Sequence, residues 1–216
     1  MTDLLPLFPL HSVLFPGMPL QLQIFESRYK DMLQRSLTGD HTFGVVLIKR
    51  GVEAHGPTPE PHRTGCRARI EQVQPLADGR IKLIAIGQER FTITSIERDQ
   101  PYLIARVEFR TMHAGPTHDL SLLAAGVEDR LLRYERSLKN LGQDEFLDLS
   151  DDSRTLAYNA CSLLQLPLAE KQALLEIDDL GVLLKVLQRK LERELALIPT
   201  LLAGSPGESV GPFGLN

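Results

Sequence analysis

A serine inside Gly-x-Ser-x-Gly is the pattern of a hydrolase nucleophile, and residues 207–211 spell it as Gly207-Glu208-Ser209-Val210-Gly211. Such a serine works only where a strand feeds a sharp turn into a helix, which holds the hydroxyl exposed beside backbone donors and within reach of a base. The surrounding run, AGSPGESVGPFGLN, is rich in Gly, Ser and Pro and supplies neither element. The match is read as coincidence, and a hydrolase is the last of three functional readings. A nucleotide site fares no better, because a phosphate cradle needs G-x-x-x-x-G-K-[ST] and the chain has no Gly-Lys dipeptide.

Six histidines invite a metal reading. His55 and His62 share one loop, while His113 and His118 stand near a change in sequence pattern. None has helical i,i+4 spacing or a neighbouring cysteine pair, and zinc needs three or four converging ligands, so they read as solvent-exposed loop residues. The two cysteines, Cys66 and Cys161, lie too far apart for a short metal motif and are too few for a disulfide framework. That usage fits a reducing compartment, the cytoplasm. The acidic pairs Asp151-Asp152 and Asp178-Asp179 each stand where a helix should begin, so their carboxylates are expected to cap free backbone N–H groups. No catalytic residue, cofactor site or metal site is therefore assigned, and the chain reads as a non-enzyme.

Binding is the chemistry left. The stretch Gly51 to Gly65, GVEAHGPTPEPHRTG, exceeds the usual ~2 to 5 residues of a hairpin connection. Long loops often bind. The loop and the basic face beside it give His55, His62, Arg63, Arg67 and Arg69 as the candidate binding residues, with Arg80 and Lys82 nearby. Glu60, Glu71 and Asp78 are interspersed, which predicts a mixed, solvated face.

The elements that must position these residues fall into two patterns. Through residue 115, short apolar runs alternate with turn signals: Phe43–Ile48, Cys66–Val73, Ile81–Ile86, Phe91–Ile96 and Leu103–Phe109. This reads as an antiparallel barrel or sandwich. Cys66, Ala68 and Ile70 should share its buried face, with Arg67, Arg69 and Glu71 on the wet one. One helix interrupts the strands, carried by Phe25, Tyr29, Met32, Leu33 and Leu37, with Gly39 placed to end it in a left-handed conformation.

After residue 115 the period becomes helical. Leu120, Ala124, Val127, Leu131, Tyr134, Leu138 and Leu141 form one long seam, stopped by Gly142. Shorter helices follow over Ser153 to Leu164 and Leu168 to Glu176. A last one carries Leu180, Leu184, Leu187, Leu191, Leu195 and Ile198 and ends before Pro199. The expected class is α+β: a twisted antiparallel β barrel or sheet with one helix over 1–115, a helical bundle over 116–203, and a flexible tail over 204–216. The two leucine seams are expected to pack within the chain, leaving a monomer or weak dimer.

Charge agrees with that division. Of 216 residues, 24 are basic and 28 acidic, for a net charge of -4. The acidic surplus lies wholly in the second half. A pI near 5.9 disfavours a protein whose main task is to neutralise phosphates. The apolar N-terminus has Asp3 where a signal peptide needs cations, and prolines at 6, 9 and 16, so it reads as folded protein. No run approaches the ~18 to 20 apolar residues of a membrane span.

Ordered motifs then suggest a family. Leu5-Pro6-Leu7-Phe8-Pro9-Leu10, Val13-Leu14-Phe15-Pro16-Gly17 and Phe25-Glu26-Ser27-Arg28-Tyr29 open the chain. Phe43 to Ile48, Gly65 to Ile70, Asp78-Gly79-Arg80, Gly87-Gln88-Glu89-Arg90-Phe91 and Leu166 to Glu176 follow in order. Over about residues 4 to 200 the sequence resembles the N-terminal domain of Lon proteases, in the stand-alone form found in bacteria. The resemblance implies a pseudo-PUA-like barrel carrying a helical subdomain. It also implies a non-catalytic module that holds unfolded or extended protein segments, by itself or for a separate protease. The family's ATPase and peptidase modules have no counterpart in this chain. RNA binding by the PUA-like barrel is the rival, to be favoured by a continuous positive stripe and disfavoured by interleaved charge.

Overall fold

The computed structural model describes residues 3–53, 56, 58–115, 117–140 and 152–203. Six strands and five helices follow in order: β1 (Asp3–Leu10), β2 (Pro19–Ile24), α1 (Ser27–Thr38), β3 (Thr42–Arg50), β4 (Glu60–Pro75), β5 (Ile81–Glu97) and β6 (Leu103–Arg110). The helices α2 (Thr117–Asn140), α3 (Ser153–Leu163), α4 (Leu168–Leu175) and α5 (Leu180–Ala203) complete the chain. The expected α+β architecture is present. His55, Asp151, the Leu141-Gly142 stop, the Ser209 motif and the tail from 204 lie outside the described residues.

Sheet order is β2-β5-β4-β3-β1-β6, and β5 also pairs with β6, so β1, β3, β4, β5 and β6 close into a ring with β2 added outside. Every pairing is antiparallel except β1 with β3, which run parallel from Leu7↔Gly44 to Leu10↔Leu47. The all-antiparallel expectation fails there because β2 and α1 form a crossover between the two strands, which parallel pairing requires. β1 itself changes neighbours at Leu7, pairing with β6 over Asp3–Leu7 and with β3 over Leu7–Leu10. Pro6 and Pro9 thus sit where the strand has a partner on one side only, and a missing N–H breaks no ladder on the other.

Two runs read as separate strands, Ile81–Ile86 and Phe91–Ile96, are one 17-residue strand, β5. Gly87 bends it without ending it. The chain passes close to Phe15 there: a Cβ on Gly87 would lie 2.3 Å from the Phe15 carbonyl oxygen. β4 likewise begins at Glu60, so the long connection is only residues 51–59. The expected alternation holds along it, with Cys66, Ala68 and Ile70 buried and Arg69 and Glu71 exposed.

Helix α1 lays Tyr29, Met32 and Leu33 onto Phe8, Ile24, Phe43 and Leu83. Gly39 has φ -104 rather than the left-handed value; the positive φ falls at His41, at 60°. The turn is taken two residues later because the Gly39 and His41 N–H groups both donate to the Ser36 carbonyl, at 3.1 and 3.0 Å. In the second half the α2 seam from Leu120 to Leu138 and Leu180, Leu184, Leu187 and Leu191 of α5 are buried in one shared core with α3 and α4, and Leu195 packs partly buried against it. α5 continues through Pro199 to Ala203, since an interior proline forfeits one backbone bond and need not end a helix.

One carboxylate of each acidic pair caps as expected, while Asp178 pairs with Arg110 instead. The Asp152 carboxylate accepts from the Thr155 N–H at 2.9 Å and from its hydroxyl at 2.8 Å, and Asp179 accepts from the Val182 N–H at 2.8 Å. The Thr155 hydrogen bonds hold the Asp152 carboxyl below its usual range. This depressed value makes the capping contribution full above the unfolded carboxyl value and lost as pH falls through the folded one. Asp152→Ala should cost about 1 kcal/mol and Asp152→Asn much less, with urea denaturation at neutral pH as the measurement.

Candidate functional site

The ladder between β4 and β5 runs from Pro75↔Ile81 up to Thr64↔Thr92 and stops. Beyond that rung the strands part. Pro61 and Glu60 pair with Ile48 and Arg50 of β3, while Ile93 to Glu97 pair with β6. Between the diverging strands lies a cleft of about 500 Å³. Its base is apolar, from the buried Pro61 and Ile93 and the partly buried Ile96, and its rim carries the exposed Lys49, Arg63 and Arg98. Two smaller recesses, of about 210 Å³ beside Arg90 and about 150 Å³ between β1 and β2, fall below the ~300 Å³ usual for ligand sites.

Glu176, which follows α4, forms part of the cleft wall. It accepts a hydrogen bond from Gln172 at 2.8 Å, and the same amide nitrogen donates to the Thr64 carbonyl at 3.1 Å. The wall is thereby tied to the last rung before the strands separate. A second tie is Arg90 of β5, buried with 2% exposure. Its guanidinium donates to the carbonyls of Leu175 at 2.8 Å and Ile177 at 2.5 Å. Its other terminal nitrogen stands 3.3 Å from the Asp178 carboxylate, close enough for charge attraction but not aligned for a hydrogen bond. Asp178 also pairs with Arg110.

The residues singled out in the sequence are divided by this geometry. His62 and Arg63 line the cleft together. His55 lies outside the described residues. Arg67 faces elsewhere, paired with Glu89 and with its guanidinium 4.4 Å over the Phe109 ring. Arg69 is held by Glu71 at 2.7 Å, and Arg80 by Asp78 at 2.6 Å. The basic cluster is thus interleaved with carboxylates, and no continuous positive stripe forms along it, which weighs against the RNA reading. Sequence reasoning missed Lys49, Arg98, Ile93, Ile96 and Glu176. No local signal marks them, because what unites them is a change of strand partner rather than a spacing.

Nucleophile chemistry is poorly served by the two thiols. Burial pushes the Cys66 thiol up to about 12 and raises that of Cys161 as well, which keeps both protonated at neutral pH. Among the described residues, no three His, Cys, Asp or Glu side chains converge as a metal site would require. No described helix is long and apolar enough to cross a membrane.

The family model of the ATP-dependent protease La (LON) substrate-binding domain matches residues 4–193. Lon protease 2 of Myxococcus xanthus is 25% identical over 203 residues, covering 91% of this chain and 24% of its own length. Lon protease of Syntrophus aciditrophicus is 30% identical over 110 residues, 49% of this chain and 14% of its own. The chain therefore spans about a quarter or less of these relatives. Among solved structures, a Lon N-terminal domain protein from Xanthomonas campestris superposes with a TM-score of 0.60 at 30% identity, covering 94% of this chain and 99% of that one. The N-terminal domain of the Mycobacterium avium complex Lon protease gives 0.69 at 19% identity, over 88% and 98%, a likeness of fold. With the match running through both the barrel and the helices, this chain belongs to the family of the ATP-dependent protease La (LON) substrate-binding domain.

Proposed function

We propose that the chain is a non-catalytic protein-binding module that holds extended segments of unfolded proteins in the cleft between β4 and β5. The observation that carries this reading is the parting of the two strands after Thr64↔Thr92. It leaves the edge of β4 near Pro61–Arg63 and the edge of β5 near Ile93–Ile96 on either side of an apolar base. An inserted strand would pair its backbone along such an edge and bury alternate side chains, the recognition mode called β-augmentation. The name of the matched family, a substrate-binding domain, is in keeping with this. In this reading residues 1–115 form the gripping unit, residues 116–203 brace it from behind, and a separate protease is a natural recipient of what is held.

Filling the cleft should weaken binding without harming the fold. Ser95 is exposed and lines the cleft, so Ser95→Trp is expected to lower retention of reduced, carboxymethylated lactalbumin at least about fivefold, a modest fraction of what burying one aromatic ring contributes. Retention equal to wild type, with an unchanged melting curve, would remove the cleft from consideration.

A further inference from the structure

We infer that the segment this cleft takes is acidic, with carboxylates alternating with apolar side chains; this rests on the cleft being the peptide site. Arg67, Arg69, Arg80, Arg106 and Arg110 each hold a carboxylate. Arg63 and Arg98 do not: among the described residues neither guanidinium has a hydrogen-bond or ion-pair partner, and both face the same cleft. Lys49 is engaged by Glu60 at 3.4 Å and Glu176 is held by Gln172, so Arg63 and Arg98 are the cations of the lining without a direct partner among the described residues, and the lining carries a net positive charge. A guanidinium presents its donors as a planar fork that fits a carboxylate at two points.

Geometry selects the spacing. Successive side chains of an extended segment point to opposite sides, so when one set descends onto Pro61, Ile93 and Ile96 the other rises toward the rim where Arg63 and Arg98 stand. A phosphate backbone suits the cleft less well. A run of phosphates brings one charge per nucleotide against a lining that already holds Glu60 and Glu176, and no Phe, Tyr or Trp lines the walls to stack a base.

The test is fluorescence anisotropy with the full chain and labelled peptides of equal length in which apolar residues alternate with Glu or with Gln. The Glu peptide should bind roughly tenfold more tightly at low salt, the scale of two exposed ion pairs, and the gap should narrow at high salt. In an Arg63→Gln/Arg98→Gln variant the affinity for the Glu peptide should fall to that for the Gln peptide. Both side chains are exposed, so folding is not at risk. Equal affinity for the two peptides, with both lost in Ser95→Trp, overturns the acidic preference and keeps the cleft. No binding of either peptide, or binding untouched by Ser95→Trp, overturns the cleft itself. Single-stranded RNA that displaces the Glu peptide at lower concentration than the unlabelled peptide does would assign the two cations to phosphate and overturn the inference.

Discussion

Arg90→Met is expected to lower the free energy of unfolding by about 3–5 kcal/mol, the range for removing one partner of a buried charged contact. Methionine restores most of the volume but none of the donors. The carbonyls of Leu175 and Ile177 lose their guanidinium partner; the buried Leu175 acceptor left unmatched costs about 1–3 kcal/mol, and the part-buried Ile177 acceptor less. Asp178 retains Arg110, so its charge is not stranded. At about 2–4 °C per kcal/mol for a chain of this size, the melting temperature should fall on the order of 10 °C. Arg110→Met, whose side chain is 34% exposed, should cost under about 1 kcal/mol. Equal losses for the two variants in urea titration would contradict the assignment of Arg90 as the tie between the strands and the helices.

Gly87→Ala should cost about 3 kcal/mol, the upper end of overpacking effects, despite adding a single methyl group. The new Cβ would stand 2.3 Å from the Phe15 carbonyl oxygen and 3.1 Å from its carbon. These are backbone atoms and cannot rotate aside. Nor can Gly87 retreat, because its N–H donates to the Met18 carbonyl at 2.9 Å and its carbonyl accepts from Gly17 at 2.8 Å. Gly115→Ala, with nothing within 4 Å of the new atom, is the control and should leave the urea midpoint unchanged. A Gly87→Ala midpoint equal to wild type would mean that the two segments do not approach as closely as described.

Periodicity made most of the elements legible in advance. Tyr29, Met32 and Leu33 recur at helical spacing, Cys66, Ala68 and Ile70 at strand spacing, and each set is buried where its spacing puts it. Proline hid β1 and β2, because the prolines that suit a strand with one free side also suit a turn. Gly87 read as a boundary because a bend and a break look alike in one dimension. The cleft was half legible: His62 and Arg63 stand out as polar side chains at the end of a long connection, but Arg98 and Lys49 join them only through the partner exchange of β4 and β5. Arg90 was the least legible, since an arginine in a strand is ordinarily a surface residue and only the distant carbonyls after α4 make its burial tolerable.

β1 joins β3 on one side and β6 on the other, and its pairing with β6 connects Asp3 to Val107. The ring is therefore not sealed until β1 meets β6, the strand most distant from it in sequence among the six. Until residue 107 has emerged, the nascent chain holds an unclosed sheet whose Phe91 and Ile93 side chains have no lid. Closing a loop over so many residues costs chain entropy before the contact repays it, which makes this pairing the topologically most demanding one in the sheet.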